Sequence, residues 1–150
     1  SDDLLRALGQ SGGFLGLSAY PHHLKDGSKC TLQSWCDMAA LAIDLVGSQN
    51  VGIGTDLCQD QPDSIVEWMR VGRWTKAIDY GEGSAANAGF PTMPNWFHDN
   101  RDLAGFRERL LASGLDLATI DGVMGDNWHA FFDKSFGAKG SPKEIQNAAE

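Results

Sequence analysis

The sequence predicts an α/β fold built on one parallel βαβ unit, and three observations predict it. A brief apolar run, Phe14-Leu15-Gly16-Leu17-Ser18-Ala19-Tyr20, is stopped by Pro21. Apolar residues then recur at three and four from Leu32 to Val46, and a second brief run, Val51-Gly52-Ile53-Gly54-Thr55-Asp56, follows at once. Short apolar runs without alternation read as buried strands. Strand, helix, strand in that order normally gives parallel strands and a right-handed crossover.

Element by element, Ser1 is placed to cap a short helix whose first turn carries Asp2 and Asp3 against the helix dipole. Leu4, Leu5 and Leu8 form its apolar side and Gly9 ends it. Thr31 is a good N-cap for the helix 32–46, where Trp35, Ala39, Ile43 and Val46 face inward, Gln33, Asp37 and Asp44 face water, and Gly47 supplies a left-handed stop. The glycines of the second strand imply close backbone packing. Residues 57–100 lack a clear period and read as a long structured excursion with a short helix around Ile65 to Val71. Helical patterning returns with Leu103, Phe106, Leu110 and Leu111, closed by Gly114, followed by short pieces at Leu117 to Met124 and Asn127 to Phe136. The expected division is a folded part, 1–137, and a polar, frayed tail, 138–150.

The 150 residues, 42% hydrophobic with five Trp, suffice for a core. Twenty acidic residues against twelve Lys and Arg leave a net charge of −8 with no basic stripe, which argues against nucleic acid or an anionic membrane as the main partner. No apolar run approaches the roughly 20 residues of a membrane span. Cys30, Cys36 and Cys58 make an odd count with no C-x-x-C pair, so neither a disulfide framework nor a zinc knuckle is indicated, and a reducing, cytoplasmic setting is expected. Two strands cannot make the covered sheet that a parallel unit requires. Either another copy completes the sheet, or the sequence is one part of a larger α/β protein.

Three segments in this order resemble one family. Gly13-Phe14-Leu15-Gly16-Leu17-Ser18-Ala19-Tyr20-Pro21 is similar to the seventh strand, and Val51 to Asp56 to the eighth strand with its terminal aspartate, of the membrane (renal) dipeptidases. Gly125-Asp126-Asn127-Trp128 with Phe131-Phe132 resembles that family's closing helix, as does the Leu-rich segment from Asp102 to Gly114 before it. These are zinc metallopeptidases of the amidohydrolase group, built as an (α/β)8 barrel. The resemblance implies that the chain is the C-terminal portion of a TIM-like barrel, about two βα units of a domain that takes about 250 residues. It implies hydrolysis of the peptide bond of dipeptides, and two zinc ions whose His-x-Asp, Glu and His ligands lie on strands that no stretch here matches. The family's substrate-binding arginine is likewise absent. One departure stands out: relatives often continue the aspartate as Asp-Phe-Asp-Gly, whereas here it reads Asp56-Leu57-Cys58-Gln59.

Asp56 is the candidate catalytic and substrate-binding residue, because barrels place catalytic groups at the C-terminal ends of strands. Its alternative is a helix cap or a solvated loop acid. Tyr20, ending the other strand, is a candidate to hydrogen-bond a substrate carboxylate or an oxyanion, or to serve as an aromatic lid. His22 and His23 are adjacent on extended chain, point to opposite sides and lack a third ligand, so no metal site is assigned. His98 and His129 read as surface or helix-packing residues. Trp68, Trp74, Phe90, Trp96 and Phe97 read as packing for the excursion rather than ligand stacking. Ser11-Gly12-Gly13 lacks the Lys and Ser/Thr of a phosphate loop, and nothing near Cys58 would activate its thiol. The resulting expectation is an enzyme only when the barrel is complete, with this chain alone inactive. Two alternatives stay open: a non-catalytic module that forms a homodimer or joins a complementing N-terminal barrel part, and another amidohydrolase acting on a small amide.

Overall fold

The computed structural model describes residues 1–71 and 88–137, with the backbone alone over 68–71. Helix α1 (Asp2–Gln10) leads into strand β1 (Leu15–Leu17), two 3₁₀ turns (Pro21–His23 and Gly27–Lys29), helix α2 (Leu32–Val46) and strand β2 (Val51–Ile53). Helix α3 (Ser64–Val71) precedes α4 (Leu103–Ala112), α5 (Leu117–Asp121), a π-helical turn (Gly122–Asp126) and α6 (Asn127–Phe136). The described residues are therefore mostly helical around a two-stranded sheet. β1 and β2 pair in parallel, with Leu15 opposite Val51 and Leu17 opposite Ile53, as the strand–helix–strand pattern predicts.

The helix between the strands begins and ends where the sequence places it. The Thr31 hydroxyl accepts the Ser34 N–H, and Gly47 stops the helix at φ 100°, ψ 137°. That is a glycine-favoured conformation but not the left-handed helical one expected, because the chain extends at once towards β2. Trp35, Cys36, Ala39, Ala42, Leu45 and Val46 are buried, whereas Ile43 is half-buried. Trp35 is fully enclosed and donates its indole N–H to the Ser18 carbonyl at 2.9 Å. Its ring meets Phe106 edge-on at 4.5 Å, and Phe106 in turn receives Phe97 and Trp96 at 5.3 and 5.4 Å. Of the excursion's aromatics, Trp96 and Phe97 thus pack as expected; the side chains of Trp68 and Trp74 lie outside the described residues.

Three further details depart from the sequence reading. Ser1 uses its backbone carbonyl, not its side chain, to hold the first turn of α1, accepting from Leu4 and Leu5. The helix runs past Gly9 to Gln10, since a Cβ on Gly9 would lie 2.1 Å from the Val46 carbonyl and glycine there permits close helix approach. Leu4 is 70% exposed, so only Leu5 and Leu8 of its apolar side pack on the core. The break expected between Met124 and Asn127 is present as a kink at Gly125, whose backbone leaves the helical region at φ 169°, ψ −34°.

The kink lets Asn127 reach back. Its amide donates to the carbonyls of Ser48 and Val51 at 2.6 and 2.8 Å, closing the N-terminal end of β2. Trp128 then lies over the glycines of the sheet, its indole N–H bonded to the Ile53 carbonyl at 2.8 Å, with Phe14 at 4.1 Å. A Cβ on Gly52 would stand 2.6 Å from the Trp128 Nε1. Gly52→Ala is therefore expected to cost about 1–3 kcal/mol by overpacking. Gly105→Ala, with only a Leu32 methyl 4.0 Å away and a place in the first turn of α4, is expected to gain about 0.4–1 kcal/mol. Urea midpoints of the two variants check the contrast; equal shifts in one direction would contradict it.

The start of α4 is tied by carboxylates. Asp99 accepts from the Arg101 side chain and backbone N–H, and Asp102 accepts the N–H groups of His98 and Asp99. The Arg101 side chain, then its N–H, lowers the Asp99 carboxyl to about 2, and the His98 and Asp99 amides lower Asp102. Asp116, capping α5, is lowered by the Thr119 N–H. Groups depressed on folding add stability above the unfolded value of about 3.9, which disappears as pH falls towards 2. The urea midpoint should accordingly fall between pH 5 and pH 2, and fall less in Asp99→Asn; an identical slope in the variant would contradict the assignment.

Candidate functional site

Parallel pairing sends both strands out at the same end. Beyond the last strand residues the pairing continues through Gly54 N–H to Leu17 carbonyl at 3.0 Å and Ala19 N–H to Thr55 carbonyl at 3.2 Å. One residue further on each chain stand Tyr20 and Asp56. The register thus brings the two residues singled out from the sequence to neighbouring strand ends.

Tyr20 is half-buried and fixed by local structure. Its N–H bonds the Ser18 hydroxyl at 3.0 Å, and Pro21 opens the 3₁₀ turn that puts His22 and His23 each 5.5 Å from its ring. His23 reaches the same Ser18 hydroxyl with Nδ1 at 2.9 Å. Among the described residues no three His, Cys, Asp or Glu side chains converge as a metal-binding group.

Asp56 is exposed and has φ 55°. Left-handed backbone is uncommon outside glycine, and aspartate is among the side chains that tolerate it. Asp60, four residues on, does the same at φ 56°. These two aspartates turn the chain without a glycine. No helix starts at Asp56, and its carboxylate has no hydrogen bond or ion pair among the described residues, unlike the capping carboxylates of Asp99 and Asp116. Of the alternatives for Asp56, the helix cap is thereby removed.

Beside these strand ends lies a cleft of about 130 Å³. Tyr20 forms one wall, the turn Leu57, Cys58, Gln59 and Asp60 another, and Phe90, Pro91, Met93 and His98 the rest; Asp56 borders it through Leu57 without lining it. The 90–98 segment is held by the Phe90 N–H to Asp63 at 3.0 Å, by buried Pro94 and Phe97, and by the Trp96 indole N–H to the Cys30 carbonyl at 2.6 Å. His98, read from sequence as a surface or packing residue, is exposed and lines this cleft, with Nδ1 3.8 Å from Asp102. Phe90, read from sequence as packing, lines the cleft, and so does Met93. Nothing in the aperiodic run from 57 to 100 marks Met93, apart from Pro91 and Pro94, which enforce extended chain there. His129 sits on the surface of α6, 86% exposed, 3.8 Å from Asp133.

Cys58 is exposed on the cleft, while Cys30 and Cys36 are buried. Burial pushes the Cys36 thiol up to about 11 and raises Cys30 as well. No helix among the described residues is long and apolar enough to cross a membrane.

No family model and no curated protein matches the chain. Solved structures share its fold, among them the following two. An amidohydrolase from Pseudomonas aeruginosa aligns over 92% of this chain and 41% of its own, with TM-score 0.78 and 24% identity. Dipeptidase AC, a metallopeptidase of peptidase family M19, aligns over 91% of this chain and 32% of its own, with TM-score 0.63 and 18% identity. The chain therefore spans less than half the length of either structure.

Proposed function

We propose, from a fold shared with an amidohydrolase and a dipeptidase, that this chain carries the strand-seven to C-terminal part of a barrel hydrolase that cleaves dipeptides. The observation that carries the reading is the parallel register, which sets Tyr20 and Asp56 side by side at the strand ends, where barrel enzymes keep their chemistry. In this reading residues 1–137 belong to the barrel domain and 138–150 form a tail.

The Asp56 carboxylate holds the substrate's ammonium through charge-assisted hydrogen bonds. That contact selects peptides cut one residue from the N-terminus. As water adds to the peptide carbonyl, the same carboxylate takes the water proton and delivers it to the leaving nitrogen while the C–N bond breaks. The Tyr20 hydroxyl donates to the substrate carboxylate or to the oxyanion that develops. The two zinc ions implied by the family resemblance do not fit the described residues of this chain, which gather no metal-ligand cluster. Those ligands belong, in this reading, to the part of the barrel outside the aligned segment.

A non-catalytic module is the second reading, favoured by an aromatic stripe on α6, where Phe132 and Phe136 are 50% and 78% exposed. A second copy or an N-terminal barrel part would cover that stripe and the open sheet edges. Purified chain mixed with zinc and the dipeptide Gly-Leu is expected to release no amino acid above background. Turnover by the chain alone would overturn this assignment of the ligands.

A further inference from the structure

Apart from Tyr20, the walls of the cleft beside Asp56 have no part in the chemistry above. Leu57, Phe90, Pro91 and Met93 present apolar surface beside the Tyr20 ring, and Cys58, Gln59, Asp60 and His98 make the polar side. Its volume of about 130 Å³ can be compared with a dry cavity of about 150 Å³ that accepts benzene. One phenyl ring or one branched aliphatic side chain fits, whereas a glycine leaves the space empty. Met93 is the most adaptable wall, since an unbranched thioether fills irregular gaps.

Position decides which part of a dipeptide enters. Leu57 to Asp60 line the cleft and follow directly on Asp56, so the cleft adjoins the residue assigned to hold the ammonium. In a peptide the side chain nearest the ammonium belongs to the N-terminal residue, both being attached to one Cα. We infer that the cleft is the subsite for the N-terminal side chain, shaped for a single aromatic ring or a branched aliphatic group, with Met93 as its size-setting wall. This rests on the dipeptidase reading for the placement of the ammonium. The walls are built on fixed anchors: Phe97 and Pro94 are buried on the 90–98 segment, and Asp63 ties its beginning. The subsite is therefore preformed, and the selectivity comes from filling it.

The test is a titration of the full 150-residue chain with Phe-Gly, Leu-Gly, Gly-Phe, Gly-Gly and p-cresol, read by the methyl resonances of Met93 and Leu57 and by the Asp56 amide. Phe-Gly and Leu-Gly are expected to shift the methyls, with affinity at least about tenfold above Gly-Gly, the scale of discrimination in an apolar pocket. Gly-Phe should bind as Gly-Gly does. Met93→Trp fills the cleft and should abolish the preference at Leu57, while unchanged amide resonances of β1 and β2 report that the variant is folded. Equal shifts from Phe-Gly and Gly-Phe would overturn the inference, as would methyls that no probe moves. If every dipeptide moves the Asp56 amide but not the Met93 methyl, the subsite fails and the dipeptidase reading survives. If p-cresol alone moves the methyls, the apolar cleft stands and the dipeptide reading fails.

Discussion

Asp56→Asn is expected to lower the turnover of a dipeptide by about 10²–10⁴-fold in the complete enzyme, the usual contribution of one positioned proton-transfer group. The substitution keeps size and hydrogen-bond reach and removes charge and basicity. It is also neutral for the backbone, because Asn tolerates the left-handed φ of 55° that Asp56 adopts. A cap lost from a helix would cost about 0.5–2 kcal/mol. Here no helix starts at residue 56, and the carboxylate holds nothing within the described residues, so melting temperature and zinc content should stay at the parent values. Rate, melting temperature and zinc stoichiometry of this one variant separate the outcomes. Normal turnover with a lowered melting temperature would contradict the catalytic role.

The largest stability effect is expected at Trp35. Trp35→Ala should cost about 3–5 kcal/mol, since a fully enclosed aromatic leaves a cavity that its neighbours fill only in part. Phe106 would lose its edge-on partner, and the Ser18 carbonyl would lose the indole N–H. Trp35→Phe separates the two contributions. It keeps most of the apolar contact and orphans the carbonyl, for an expected loss of about 1–3 kcal/mol. Because Ser18 also positions Tyr20 through its hydroxyl, both variants should loosen the end of β1 before the rest of the sheet. Urea unfolding gives the free energies and amide exchange at Ala19 and Tyr20 gives the order. A loss below about 1 kcal/mol for Trp35→Ala would contradict the packing account.

Local signals made the central unit legible. Thr31, the inward spacing of Trp35, Ala39 and Val46, and Gly47 fix the helix from Leu32 to Val46, and the apolar runs on either side leave little room for any pairing other than parallel. The glycines at 52 and 54 signalled a close approach, and the structure supplies its partners: Trp128 over Gly52, and the backbone of Gly16 beside Gly54. Tyr20 and Asp56 were legible as strand ends because the apolar runs stop there. What escaped the sequence depends on contacts distant along the chain. His98 and Met93 lie more than 70 residues from Tyr20, across a stretch with no period, so nothing local ties them to its strand end. The kink at Gly125 was legible as a break between two apolar pieces, but the reach of Asn127 across it to Ser48 and Val51 was not. The two left-handed aspartates were invisible because the glycine that usually marks such a turn is missing.

The proposed function puts Asp56 and Tyr20 at the mouth of a peptide-cleaving barrel to which this chain contributes the C-terminal strands. Its most direct measurement is amino-acid release from Phe-Gly by a protein in which these 150 residues are joined to the preceding barrel strands, with bound zinc quantified in the same sample. The account predicts release of free phenylalanine and glycine that depends on bound zinc and on Asp56. Release of neither amino acid from a zinc-loaded, folded sample would contradict it.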